Sequence, residues 1–576
     1  MQVLNTLPQN ATYDVVVVGA GGAGMAAALF AALEGAKVLL VERTEHVGGT
    51  TAWSAGTTWV PGTHHGPQVN PTDTLADAAR YLTNAIGERT PAALRQAFLD
   101  AGPEAVAHVE AHSEVKFRPY PKHPDYISDL GGSTLAGRAL EPLPFDGRLL
   151  GDLFKLVRPP IPEFTVLGGM MVDRTDINHL LGMTGSFASL KHSVRIILRH
   201  LSDRLSHPRG TRLVMGNALV ARLLYSLSTH ASVSLALNTS VTAIHQGSAG
   251  VDSLTLERNG QTSTVNVTGG MVLASGGFNR HMGLRQTMLP GADIGWCPAA
   301  PGHTGTAHDL VQALGARYGQ GGLSNAFWAP VSIRPRSDGS KAVFPHFVMD
   351  RAKPGFVTVN QAGERFVNES TSYHLFGLAM QAHGAVPAYL VCDAEALRIY
   401  GMGMVRPGGK GLAPFLADGY LTEGATLNEL AAKLGINAAG LNRSVAHINT
   451  CAQTGVDPDF HRGETAYQQN IGDATRGNPN PNLGALNTAP FYAVKLFPGD
   501  IGASTGLVAD EHARVLNASN QPIAGLYAVG NDMHSIMGGV YTAPGITIGP
   551  GLVFGRLAAR HAVARARTSA NNLGKS

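Results

Sequence analysis

Three observations predict an α/β protein of more than one domain. The stretch "YDVVVVGAGGAGMAAALFAALEGAKVLLVER" (residues 13–43) runs from an apolar segment through a glycine turn and an alanine-rich segment to a second apolar segment. The stretch "LTLERNGQTSTVNV" alternates apolar and polar residues about Asn259-Gly260, a strong hairpin signal. At 576 residues the chain exceeds what one simple core accommodates.

Within the first stretch, Asp14–Val18 reads as a buried strand, the alanine-rich run as a helix, and Lys37–Glu42 as the next strand. Gly19-x-Gly21-x-x-Gly24 falls at the strand-to-helix turn. Glycines there permit the turn, the approach of a pyrophosphate and close helix–strand packing. Glu42 ends the second strand, where a carboxylate accepts hydrogen bonds from a ribose diol. The pattern is that of a Rossmann-type dinucleotide unit, shared by NAD and FAD. The following loop, with Gly48, Gly49, Thr50, Thr51 and Ser54, is small and polar, suited to wrapping a pyrophosphate and a ribityl chain.

Composition excludes other classes. The net charge of +3 comes without a long Lys/Arg run, so a nucleic-acid footprint is not expected. Cys297, Cys392 and Cys451 are few and far apart, which speaks against a disulfide framework and a structural zinc; no metal site is expected. The N-terminus lacks a basic region before its apolar run, so a cytoplasmic protein is expected. Val15 to Leu33 is broken by glycines and reads as strand and helix, with no transmembrane segment expected. The segment "LKHSVRIILRHLSDRL" (190–205) mixes apolar and basic residues at helical spacing. A covering helix is the plainer reading, and peripheral membrane contact stays open.

With "ERTEHVGGTTAWSAGTTWVPG" (42–62) the chain resembles the FAD-binding family of fumarate reductase flavoproteins and 3-ketosteroid dehydrogenases. Ala52-Trp53-Ser54-Ala55-Gly56 stands where that family shows small residues and paired glycines. "LASGGF" (273–278) resembles the family's "LATGGF", and "PIAGLYAVGNDMHSIMGGVYTAPGITIGPGLVFGRLAARHA" (522–562) resembles its closing flavin segment. These matches lie towards both ends of the chain. They imply a discontinuous Rossmann-type FAD-binding domain, residues 1–300 and 491–576, with an α+β substrate or catalytic domain inserted at 301–490.

The expected FAD contacts are Gly19, Gly21, Gly22, Ala23, Gly24, Glu42, Arg43, Gly49, Thr50, Thr51, Ser54, Ala274, Gly276, Gly530, Asn531, Gly549 and Pro550. Family members with covalent flavin carry a His in this region with which no His of this chain aligns, so non-covalent FAD is expected. Where relatives show "TGDG", this chain has Thr304-Gly305-Thr306-Ala307.

The resemblance is closest to 3-ketosteroid Δ1-dehydrogenases and assigns the chemistry. "FVTVNQAGERFVNESTSYHLFG" (356–377) matches the segment with the catalytic tyrosine and gives Tyr373; "HPDYISDLGGSTLAGRAL" (123–140) gives Tyr126; "GGVYTAPG" (538–545) gives Tyr541 and the N–H of Gly545. Removing hydrogens from C1 and C2 beside a C3 ketone places charge on the ketone oxygen. Tyr541 and Gly545 would form its oxyanion hole, Tyr373 would take the C2 proton with Tyr126 stabilising the phenolate, and hydride would pass from C1 to flavin N5. The implied partners are a hydrophobic cyclic ketone or steroid and an external electron acceptor.

Rival readings are another cyclic ketone, a steroid 4(5α)-dehydrogenase, and a fumarate-reductase-like enzyme. The last would need cationic clamps for two carboxylates, and Thr542-Ala543-Pro544-Gly545 carries none. Arg556, on the following helix, reads as a solvated or capping charge. Gly502-Ala503-Ser504-Thr505-Gly506 matches GxSxG formally, without the strand–elbow–helix pattern of a hydrolase.

Overall fold

The computed structural model describes residues 1–348 and 350–573. Its larger sheet has a parallel core of Val233–Ala236, Val38–Val41, Thr12–Val18, Gln261–Leu273 and Pro522–Ala528. Val15, Val16, Leu39, Leu40 and Val272 are fully buried, as expected for parallel strands covered on both faces. Strand Gln261–Leu273 changes neighbours along its length. Its first half pairs antiparallel with Gly250–Arg258; its second half lies between Thr12–Val18 and Pro522–Ala528.

The hairpin forms where the sequence predicts it. Arg258 faces Gln261, with Asn259 at φ 52° and Gly260 at φ 78°, the paired positive dihedrals of a two-residue turn matched to strand twist. Helix Gly22–Leu33 packs on helix Ile548–Leu573. Small residues permit that approach: a Cβ on Gly551 would sit 3.0 Å from the Cβ of Ala23.

The second sheet is antiparallel and contains Lys341–Pro345, Ala326–Pro335, Phe491–Ala503, Ala388–Asp393, Phe356–Val359 and Thr422–Gly424. The whole is a mixed α/β fold, as the sequence predicts. Strand Phe491–Ala503 is central here, with Leu496 opposite Ala388 and Ala503 opposite Ala326. This one strand bridges the two halves of the second sheet, and by pairing it belongs with them. We propose 301–503 as the inserted unit.

Residues 58–142 add helices Leu75–Ile86 and Ala92–His112 and a small sheet of Thr58–Trp59, Ala139–Pro142 and Phe117–Pro119. Helices Arg174–Leu181 and Phe187–Asp203 pack on each other over a separate small cluster of Met170, Val172 and Ile196. Cys297, Cys392 and Cys451 are free thiols and all buried. Among the described residues, no helix is long and apolar enough to cross a membrane.

Candidate active site

The nucleotide unit and the second sheet wall one cavity of about 830 Å³. At its nucleotide end the three fingerprint glycines divide the work. Gly19 has φ 107°, and a Cβ there would lie 2.2 Å from the Ala274 carbonyl oxygen. A Cβ on Gly24 would lie 1.9 Å from the Gly19 oxygen, so this position serves helix–strand contact. A Cβ on Gly21 would meet nothing within 4 Å, since its Cα faces the open cavity. A main chain bare on the side where a ligand arrives fits a pyrophosphate at a helix N-terminus.

Glu42 is fixed at the end of its strand: Oε2 accepts from the Ala20 N–H and Oε1 from the Thr44 N–H, both at 2.9 Å. Thr51 Oγ1 accepts from the Gly22 N–H at 3.2 Å, pinning the small polar loop to the fingerprint helix. Thr50 Oγ1 accepts from the Ala300 N–H and lies 3.2 Å from His303 Nε2. The other ring nitrogen of His303 is buried without a partner, and burial lowers the ring's pKa to about 4, so it is neutral at pH 7. Arg43 hydrogen-bonds Thr304, which ties the altered "TGTA" turn to the cradle.

Of the expected cofactor contacts, Gly19, Gly21, Gly22, Ala23, Glu42, Arg43, Gly49, Thr50, Thr51, Ser54, Ala274, Gly276, Gly530 and Asn531 line the cavity. Gly24, Gly549 and Pro550 do not. Gly549 is instead a packing position, where a Cβ would lie 2.0 Å from the Trp59 oxygen. Pro550 borders a small void behind Gly530 and Asn531.

Sequence reading missed the group that holds this end together. Asp532, fully buried, accepts from the Gly277 N–H at 2.7 Å and from the Ser275 N–H, and lies 2.6 Å from His308 Nε2. Burial pushes its carboxyl up, but the His308 charge and these hydrogen bonds outweigh burial and hold it below the usual range. The local sign was an acidic residue directly after "VGN" in the closing segment.

At the other end stand the three tyrosines. The Tyr126 hydroxyl donates to the Tyr373 oxygen at 3.1 Å. The Tyr541 ring stacks 5.7 Å from that of Tyr126 and meets Tyr373 edge-on at 5.0 Å. Gly545 has φ 91°, and a Cβ there would lie 2.4 Å from the Thr57 oxygen. Among the described residues, its N–H finds no acceptor. Tyr126, Tyr373, Tyr541 and Gly545 all line the cavity.

Each tyrosine is held from behind. The Tyr126 N–H donates to the Thr542 carbonyl at 2.8 Å, linking two of the sequence segments directly. Asp125 accepts from Trp59 Nε1 at 2.9 Å and from Arg138 at 2.8 Å. Tyr373 opens helix Tyr373–Ala382, and His374 Nε2 lies 3.0 Å from the Gly539 oxygen, tethering that helix to the loop before Tyr541. Arg351, fully buried, donates to the carbonyls of Thr371 and Phe347, a role no motif announced. Burial raises the phenols of Tyr126, Tyr373 and Tyr541 above the ordinary tyrosine value.

Two other sequence features resolve as packing. Arg556 is 5% exposed and pairs with Glu104, so it is neither solvated nor a cap. The GxSxG match leaves strand Phe491–Ala503 into a loop, with no helix following.

A bare-backbone cradle at one end and buried phenols at the other fit a flavin-dependent oxidoreductase. Residues 14–548 match the family model described as FAD binding domain, and the chain belongs to that family. It is an FAD-dependent oxidoreductase acting on CH–CH bonds. A 4-oxocyclohex-2-ene-1-carboxylate 5-dehydrogenase of Sinomonas cyclohexanicum is 36% identical over 99% of this chain and 98% of its own. A 3-oxosteroid 1-dehydrogenase of Mycolicibacterium smegmatis is 35% identical over 97% and 98%. The crystal structure of 3-ketosteroid delta1-dehydrogenase from Sterolibacterium denitrificans, in complex with 1,4-androstadiene-3,17-dione, superposes with TM-score 0.89 at 33% identity, covering 96% of this chain and 99% of that one.

Proposed function

We propose that this protein catalyses the FAD-dependent 1,2-dehydrogenation of 3-ketosteroids. The observation that carries the reading is the meeting of Tyr126, Tyr373, Tyr541 and the free Gly545 N–H in the cavity that also holds the glycine cradle. The Tyr541 hydroxyl and the Gly545 N–H take the C3 ketone oxygen, where charge grows as the C2 proton leaves. One such donor contributes about 2.7–4 kcal/mol to lowering the barrier. Tyr373 accepts the C2 proton, and Tyr126 donates a hydrogen bond to the oxygen that becomes the phenolate. FAD, held non-covalently by Gly21, Gly22, Glu42, Thr50 and Thr51, would supply a two-electron acceptor for the C1 hydride, with an external acceptor to take the electrons on.

A second reading keeps the chemistry and changes the ring: a monocyclic oxo-carboxylate, as in the name of the Sinomonas relative. Arg174 favours it. This residue lines the cavity, its guanidinium lies 5.2 Å from the centre of the Tyr120 ring, and among the described residues it makes no ion pair. A substrate carboxylate would suit it.

Anaerobic mixing with a 4-ene-3-oxosteroid, and separately with 4-oxocyclohex-2-ene-1-carboxylate, distinguishes the two by which one bleaches the oxidised flavin band. Bleaching by the steroid, lost in Tyr541→Phe, supports the first reading. Bleaching by the carboxylate alone, lost in Arg174→Gln, replaces it with the second.

A further inference from the structure

The helix Phe187–Asp203 wears its apolar side outward. Phe187, Leu190, Val194, Leu198, Leu201 and, one turn on, Leu205 step by three and four residues and so form a single stripe. They are between 42% and 89% exposed. The buried face opposite is Ser193, Ile196, His200 and Asp203. Two of those inward polar groups are engaged: Asp203 accepts from the Thr211 N–H and hydroxyl at 2.8 Å, and His200 Nε2 lies 2.9 Å from the Leu167 oxygen. The helix cannot roll its leucines inward without breaking these contacts, so the apolar stripe is a built feature of the surface.

Its charge is one-sided. Lys191, Arg195 and Arg204 are exposed on this helix and its C-terminal turn, and among the described residues none of them makes an ion pair. The single acidic residue between 186 and 206 is the buried Asp203. A leucine stripe flanked by cations alone complements an anionic lipid surface. Two copies of it face to face would set cation against cation. The neighbouring helix Arg174–Leu181 carries the surface to the cavity, since Arg174, Ile177 and Asn178 line its wall.

We propose that the Phe187–Leu205 face is a peripheral docking surface for an anionic phospholipid bilayer. The ridge lies in the headgroup–acyl boundary, and Lys191, Arg195 and Arg204 meet lipid phosphates. Docking stands whichever ketone is the substrate; that it brings an apolar ketone from the bilayer to the cavity rests on the steroid reading.

Sedimentation of the flavin-loaded full chain with phosphatidylcholine vesicles, and with mixed phosphatidylcholine–phosphatidylglycerol vesicles at low and high salt, tests the docking. The expected result is binding to the mixed vesicles that salt weakens. Leu198→Ser with Leu201→Ser, and separately Lys191→Glu with Arg195→Glu, should each lower the partition coefficient by about tenfold or more. Flavin content should remain at the parent level, because these side chains touch nothing in the core. Absence of binding to the mixed vesicles, or equal binding by both variants, overturns the proposal. So does a dimer in ultracentrifugation that the Leu198→Ser, Leu201→Ser variant dissociates, which would make the face an interface between copies. Flavin bleaching by a water-soluble ketone is read without vesicles, so failure here leaves the dehydrogenase reading untouched.

Discussion

The Tyr126 hydroxyl donates to the Tyr373 oxygen in a pocket where burial raises both phenols. A base must be deprotonated to act, and a raised pKa moves the deprotonated form to higher pH. The rate of flavin reduction should therefore climb through neutral into alkaline pH without a plateau near 7. Tyr126→Phe removes the donor to the phenolate and should displace the rise further upward. Tyr373→Phe should lower the rate by about 10²–10⁴-fold at every pH. Stopped-flow flavin bleaching across pH reads all three; a flat profile would remove Tyr373 from the role of base.

On the proposed mechanism, Tyr541→Phe deletes one donor to the ketone oxygen and keeps the ring that stacks on Tyr126. The expected loss is about 10²–10³-fold in kcat with KM nearly unchanged, because the lost interaction strengthens only as charge develops. Steady-state kinetics with an artificial acceptor measures the split. A change confined to KM would mean that Tyr541 only binds substrate.

Gly21 and Gly24 should separate cofactor binding from folding. Gly21→Val places its side chain into open cavity, so the chain should fold and lose flavin affinity. Gly24→Val meets the Gly19 carbonyl 1.9 Å from its first carbon, so it should fail to give folded protein. Thermal melts of the apoprotein, set beside flavin content after purification, distinguish the two outcomes.

Burial lowers the ring pKa of each of His123, His303 and His374 from 6.5 to about 4. The sign follows from proton uptake: between those values the unfolded chain binds protons that the folded one refuses. Stability from this source is complete above pH 6.5 and lost as pH falls towards 4. The slope is about 1.4 kcal/mol per pH unit for each histidine. Denaturant unfolding over that range measures it, and His303→Gln should make the slope shallower by its own share.

The nucleotide cradle was legible because its constraints are local. Gly19 has a positive φ set by its own turn, Gly24 lies under the Gly19 carbonyl five residues earlier, and Asn259-Gly260 names its own turn. The tyrosines are different: no periodicity distinguishes Tyr126 or Tyr373 from a core aromatic, and only likeness to a family singled them out. What stayed hidden depends on partners far along the chain. Asp532 is explained by Ser275, Gly277 and His308, and Arg351 by carbonyls up to 20 positions away. Strand Phe491–Ala503 pairs with Ala326–Pro335 and Ala388–Asp393, partners that cannot be inferred from its own residues.

Strand Gln261–Leu273 is completed by Pro522–Ala528, and the loop after it is fastened by Asp532, which is 257 positions beyond Ser275. During synthesis, the first half of the nucleotide unit must leave the ribosome with one flank of its central strand bare. It waits there while the entire second sheet is translated. Contacts of such long separation form late and slowly. The flavin cradle, which needs Asp532 to fasten Ser275 and Gly277, is therefore complete only once this last segment has been made.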